Sequence, residues 1–153
     1  MKKALALLLI LACVFCAACT GSEKKLTCTV TELFDKIGEV NAEGDLFSLS
    51  KDFLSEMGIS SSLIKSGAFM MPEETAGVES VAFFEASDSN SAKLIKAALE
   101  AFVKATQIEQ KDYNADNYKV SLDAVVNSEG NYVYLVMSSA KDAILKIIND
   151  NLK

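Results

Sequence analysis

Two rules of hydrophobic patterning divide this chain. Ala4 to Ala18 is an unbroken apolar run of 15 residues behind Lys2 and Lys3. A basic start, a short apolar core and a small-residue end define an export signal. The run is shorter than the 18–20 residues a membrane-spanning helix needs. From Thr29 onward, apolar residues recur instead at helix or strand spacing.

Thr29-Val30-Thr31-Glu32 reads as a capping box, with Thr29 and Glu32 satisfying each other's backbone N–H groups. Val30, Leu33, Phe34, Ile37 and Val40 then follow at spacings of three and four, one apolar helical stripe. Asn41 to Ser48 reads as a loop, and Ser50 caps a short helix through Met57 that Gly58 stops. Leu63 to Met71 is read as a strand closed by Pro72, and Glu73 to Gly77 as a loop. Ser80 to Glu85 is a strand by composition. Asp88-Ser89-Asn90 opens a long helix from Ser91 to about Gln110, with Ile95, Leu99, Phe102 and Val103 on its buried face. Asp112 to Lys119 is expected to be a polar loop. Ser121–Asn127 and Asn131–Met137 are strands flanking a hairpin turn at Ser128-Glu129-Gly130. Ser139-Ala140-Lys141-Asp142 opens a last helix with Ile144, Leu145, Ile147, Ile148 and Leu152 as its stripe.

The order is α-α-β-β-α-β-β-α. Short connections between neighbouring strands favour antiparallel pairing. The expectation is an α+β domain of two layers, a mostly antiparallel four-stranded sheet packed by about three helices.

The apolar leader sharpens the division of the chain. Ala17-Ala18-Cys19 matches the end of a bacterial lipobox, with Cys16 where leucine is usual. The expected organisation is a signal peptide over 1–18, a lipidated Cys19 with a polar tether over 19–28, and one α+β domain over 29–153. The expected location is the outer, extracytoplasmic face of the membrane. Ordinary cleavage near Ala18, giving a secreted protein, is the alternative.

Composition removes much chemistry. The chain has no His, Arg or Trp. The commonest general base and transition-metal ligand is therefore missing, and no Ser-His-Asp or Cys-His nucleophile can be built. Loss of residues 1–18 leaves 13 lysines against 21 acids, a charge of −8. An acidic surface without a basic cluster disfavours nucleic acid. Cys13 and Cys16 leave with the signal and Cys19 carries the lipid. Cys28 is then the sole thiol, and no disulfide within the chain is possible. No catalytic residue and no cofactor are assigned.

Two constellations remain. Asp112, Asn114, Asp116 and Asp123 sit at positions 1, 3, 5 and 12 of a weak calcium-loop pattern, with Asn117 in place of the usual Gly. The other is the hairpin. A two-residue turn at Glu129-Gly130 puts Leu122, Ala124, Val126, Val133, Leu135 and Met137 on one apolar face. Asp123, Val125, Asn127, Tyr132, Tyr134 and Val136 then share the other. Tyr132, Tyr134 and Val136 are candidate partner contacts, because a tyrosine ring buries area while its hydroxyl stays wet. The competing possibility is that a helix or loop covers that face. A three-residue turn would instead set Tyr132 opposite Val126.

The chain resembles a family of uncharacterised lipoproteins from Gram-positive, clostridia-like bacteria, the DUF4358 family, over roughly Thr29 to Lys153. The resemblance rests on four features in order: the opening amphipathic helix, Val81-Ala82-Phe83-Phe84 before the Asp-Ser-Asn cap, the Asp112-Tyr113-Asn114 loop, and Gly130-Asn131-Tyr132-Val133 before the last helix. Family members often carry Pro where Ala115 stands. The resemblance implies the envelope address and the α+β architecture, and it transfers no catalytic residue. The expected function is a non-catalytic binding or accessory domain for an unknown protein or cell-envelope ligand. A carboxylate-dependent envelope hydrolase and a calcium-stabilised envelope protein are the alternatives.

Overall fold

The structure is a computed structural model and describes residues 24–41, 45–47, 51–72 and 77–153. The expected signal peptide and Cys19 lie outside the described residues, as do the expected Ser50 cap and positions 73–76 of the expected loop.

Helix α1 (Val30–Gly38) starts as its sequence requires. Thr29 Oγ1 accepts from Glu32 N at 3.2 Å and Glu32 Oε2 accepts from Thr29 N at 2.8 Å. Leu33, Phe34 and Ile37 are buried, whereas Val40 lies past the helix end and is exposed. Strand β1 (Asp45–Phe47) follows, then α2 (Lys51–Glu56), which ends before Gly58 at φ 73°. A 3-10 turn (Ser61–Leu63) leads into β2 (Ile64–Met71) and then β3 (Ser80–Ala86). The long helix α3 (Ser89–Gln110) is capped by Asp88, whose Oδ1 accepts from Ser91 N at 2.7 Å. Helix α4 (Ala115–Leu122), β4 (Val125–Glu129), β5 (Tyr132–Met137) and α5 (Lys141–Asn151) complete the domain.

The sheet is antiparallel throughout, in the order β1-β2-β3-β5-β4. The α+β class and the expected element order hold, and the structure adds two elements. One is β1, which pairs Asp45, Leu46 and Phe47 with Met71, Met70 and Phe69 inside the expected Asn41–Ser48 loop. Three residues are too few to show alternation, so the open edge of β2 decides the pairing. The other is α4, inside the expected polar loop and reaching to Leu122, so that β4 begins at Val125 rather than Ser121.

The layering is fuller than expected. Phe69, Ala82, Phe84, Val133, Leu135 and Met137 pack with Ala92, Ile95, Leu99 and Val103 of α3. Met70, Val81, Phe83, Tyr134 and Val136 point the other way and pack with Leu33, Phe34 and Ile37 of α1 and Ile144 and Ile148 of α5. Adjacent strand residues face opposite sides, so helices cover both faces and the layers number three. This accounts for the continuous apolar run Val81-Ala82-Phe83-Phe84, every residue of which has zero exposure.

The hairpin turn is Gly130-Asn131, with Gly130 at φ 61° and Glu129 opposite Tyr132. This moves the register by two from the expected Glu129-Gly130 turn. An even shift leaves each residue on its own face.

The folded part also starts before Thr29. Leu26 bridges Leu152 in antiparallel sense. Lys25 N donates to Lys153 O at 2.6 Å, Lys153 N to Lys25 O at 3.0 Å, and Thr27 N to Asn151 O at 2.8 Å. The stretch 25–27 is thus tied to the end of the last helix, where a loose tether was expected. Leu26 N also lies 3.3 Å from the Tyr132 hydroxyl, at the start of β5.

Candidate functional site

At the opposite end of β5 from Leu26, the chain passes Met137 into Ser138 and Ser139. Three separate segments meet there. Ser138 Oγ lies 2.5 Å from Glu79 Oε2, just before β3, and 2.9 Å from Asn41 Oδ1, just after α1. Ser139 N donates to Glu79 Oε1 at 2.9 Å and Ala140 N to Ser138 Oγ at 3.0 Å. Asn41, Glu79 and Ser138 are all buried. A buried carboxylate needs such donors, because its lost hydration must be replaced.

Helix α4 stands beside this junction. Asn114 caps it, its Oδ1 accepting from Asp116 N at 3.0 Å and Asn117 N at 3.1 Å. Gln107 Nε2 donates to Ser121 O at 2.9 Å and Asn117 Nδ2 to Gln110 Oε1 at 3.2 Å, so α4 folds back antiparallel on the end of α3. Asp116, Lys119, Val120 and Asp123 then fall at i, i+3, i+4 and i+7, one side of α4 and its C-cap. They line a groove of about 680 Å³ with Leu122, Ser138 and Ser139. That volume lies within the usual range of ligand sites. A smaller hollow of about 290 Å³ adjoins it, shares Asp123 and Ser139, and continues over Ala140 to Ala143. Lys141 Nζ bonds Asp123 Oδ2 at 2.5 Å. Leu122 is 57% exposed beside these charges. An apolar rim with mixed fixed charges can hold and orient a ligand.

The sequence candidates are placed differently. Val136 is fully buried and Tyr134 nearly so, under α1 and α5, and Tyr132 packs against the same cluster. The Tyr134 ring stacks parallel to Phe83 at 6.4 Å. Its hydroxyl accepts from Asn127 Nδ2 at 2.9 Å and donates to Glu129 Oε1 at 3.3 Å. Burial raises the proton affinity of that phenol, with the nearby Glu129 adding to it and the Asn127 bond opposing it. The face read as a partner surface is therefore core. This corrects the assignment of Tyr134 and Val136, for the physical reason that two further amphipathic helices needed a sheet face, whereas Tyr132 is half-buried and also lines a surface hollow with Lys24 and Lys25.

The calcium pattern is corrected too. Residues 115–122 are helical, Asn114 spends its oxygen on the helix cap, and Asp123 pairs with Lys141. Asp112, Asn114, Asp116 and Asp123 do not converge, and among the described residues no three acids, cysteines or histidines are grouped to hold a metal. Cys28 is a free, half-buried thiol packed on the α1–α5 core. Two carboxylates have lowered proton affinity, Glu32 and Asp88, and in both the leading cause is a backbone bond, from Thr29 and Ser91 respectively. They serve helix caps. The groove itself was missed because its stripe is visible only once 115–122 is recognised as a helix.

Among the described residues no helix is long and apolar enough to cross a membrane. No curated protein and no solved structure matches the chain. A family model does, over residues 42–138, from just after α1 to the start of the α5 turn. The matched stretch contains the whole sheet, α3, α4 and the groove residues except Ser139, and leaves out the two helices that cover Tyr134. The chain belongs to the family described as a domain of unknown function, DUF4358.

Proposed function

We propose that this chain is a lipid-anchored lipoprotein of the outer membrane face whose domain is a non-catalytic binding or accessory module. One geometric relationship carries the reading. The chain enters the fold at Lys24–Thr27, beside the start of β5, and the groove opens at the other end of that strand. Four residues lie between Cys19 and Lys24, five steps of the chain and a reach of at most about 18 Å. A lipid on Cys19 then holds the entry end at the bilayer and turns Asp116, Lys119, Leu122 and Asp123 away from it.

The absence of His and Arg from the sequence supports binding over turnover. The ligand is a protein segment or envelope component that offers an apolar group to Leu122 and polar groups to the flanking charges.

The test is a photo-crosslinking residue at Leu122, compared with one at Leu94, which is equally exposed but on α3. In native membranes the Leu122 position should yield a discrete adduct that the Leu94 position lacks. The same adducts from both positions, or none from Leu122, would end this assignment.

A further inference from the structure

The entry end of the domain carries an arrangement of charge that the fold does not neutralise. Lys25 and Lys153 exchange both backbone hydrogen bonds, at 2.6 and 3.0 Å, and so stand directly opposite each other. Side chains of such a pair share one side, and like charges placed so destabilise the pairing. Both lysines are exposed, and neither has a carboxylate partner among the described residues. Beside them is a hollow of about 260 Å³, lined by Lys24, Lys25, Lys65, Glu85, Gly130, Asn131 and Tyr132. The described acids near it are already engaged. Glu129 pairs with Lys24 at 3.0 Å and Glu85 with Lys65 at 3.6 Å, while Asp88 caps α3. The Lys25 and Lys153 side chains are left without a carboxylate side chain among these acids, in a chain whose total charge is −6.

We infer that this lysine pole is a docking site for the anionic phospholipid headgroups of the membrane that holds the anchor. The inference rests on the lipid-anchor reading, since six residue steps from Cys19 to Lys25 let the pole stand at most about 22 Å from the anchor point. The hollow has the volume of about nine waters, enough for a glycerophosphate headgroup. Attraction of a lysine to an anionic surface fades within a Debye length of about 8 Å. Residues at the entry end, next to the anchor, can come that close. Headgroup phosphates would relieve the Lys25–Lys153 repulsion and fix which way the domain faces. The groove at the far end of β5 would then face away from the surface.

The experiment is amine-labelling with a water-soluble acylating reagent, read by mass spectrometry. The lipidated full chain is placed in vesicles of phosphatidylcholine alone, or of phosphatidylcholine and phosphatidylglycerol in equal parts. Lys25 and Lys153 should label about fivefold more slowly in the anionic vesicles, corresponding to about 1 kcal/mol per lysine. Lys111 and Lys119, at the far end, should label equally in both. Equal labelling of Lys25 in the two compositions overturns the inference, whether the rate is fast in both or slow in both. A chain found without lipid on Cys19 defeats the anchor reading separately. The Cys19→Ser chain then tests the pole by itself. Its sedimentation with anionic vesicles, lost in Lys25→Gln/Lys153→Gln, sustains the docking site, and sedimentation unchanged by that double substitution overturns it.

Discussion

Leu26 and Leu152 face each other across the one antiparallel bridge that joins the entry of the chain to its last helix. Leu152 is 3% exposed and belongs to the core under α1 and α5. The pair converts the stretch after the proposed anchor into part of the domain. Leu152→Ala removes a buried side chain, and should cost about 2–4 kcal/mol. Urea unfolding measures it. A loss below about 0.5 kcal/mol would mean that residues 25–27 hold independently of Leu152.

A second packing relationship accounts for the glycine in β2. A Cβ at Gly67 would lie 2.4 Å from Phe84 Cδ1 and 2.8 Å from Phe83 O. Gly67→Ala should therefore destabilise by about 1–3 kcal/mol, because the Phe84 ring is held on its other sides by the α3 core. Gly38→Ala is the contrasting case. Nothing lies within 4 Å of that position, so the change should be neutral or stabilise by up to about 1 kcal/mol. Chemical denaturation of the two variants side by side separates packing from backbone entropy.

Ser138 joins the ends of α1, β3 and β5 through Asn41 and Glu79. Ser138→Ala leaves the buried Glu79 carboxylate with the Ser139 N–H as its remaining donor. The expected cost is about 1–3 kcal/mol, seen as a lowered melting temperature. Ser139→Ala keeps its backbone donor and should melt like the parent.

The two helix caps predict an acid limb in stability. Glu32 and Asp88 have folded pKa values below their ordinary values of 4.5 and 3.8. Their contribution is present above those ordinary values and is lost as pH falls through the lower folded ones. Asp88→Asn keeps a good cap but removes one titrating group. Its stability should fall less steeply than the parent's below about pH 4. Parallel acid curves would show that the Asp88 charge contributes nothing to the cap.

Elements whose local chemistry and long-range packing agree were legible in the sequence. The Thr29–Glu32 box, the Asp88 cap and the apolar run of β3 each specify their element before any tertiary contact is considered. Helix α4 was not legible, because in its eight residues only Ala115, Val120 and Leu122 are aliphatic and no apolar stripe forms. Its stability comes from Asn114 and from Gln107 and Gln110 on α3, which sequence spacing does not reveal. Tyr134 misled for the opposite reason. Its hydroxyl suggested a wet face, but Asn127 and Glu129 on the next strand satisfy it inside the core. The count of amphipathic helices held the clue. The stripe of α3 fills one sheet face, and those of α1 and α5 require the other.

The groove reading depends on which end of the domain is held. The direct measurement is the intact mass and fragment spectrum of the native protein extracted from membranes. The account predicts a chain beginning at Cys19, with residues 1–18 removed and a diacylglyceryl group on the Cys19 sulfur. A chain cut near Ala18 with a bare Cys19 thiol, recovered in the soluble fraction, would contradict it.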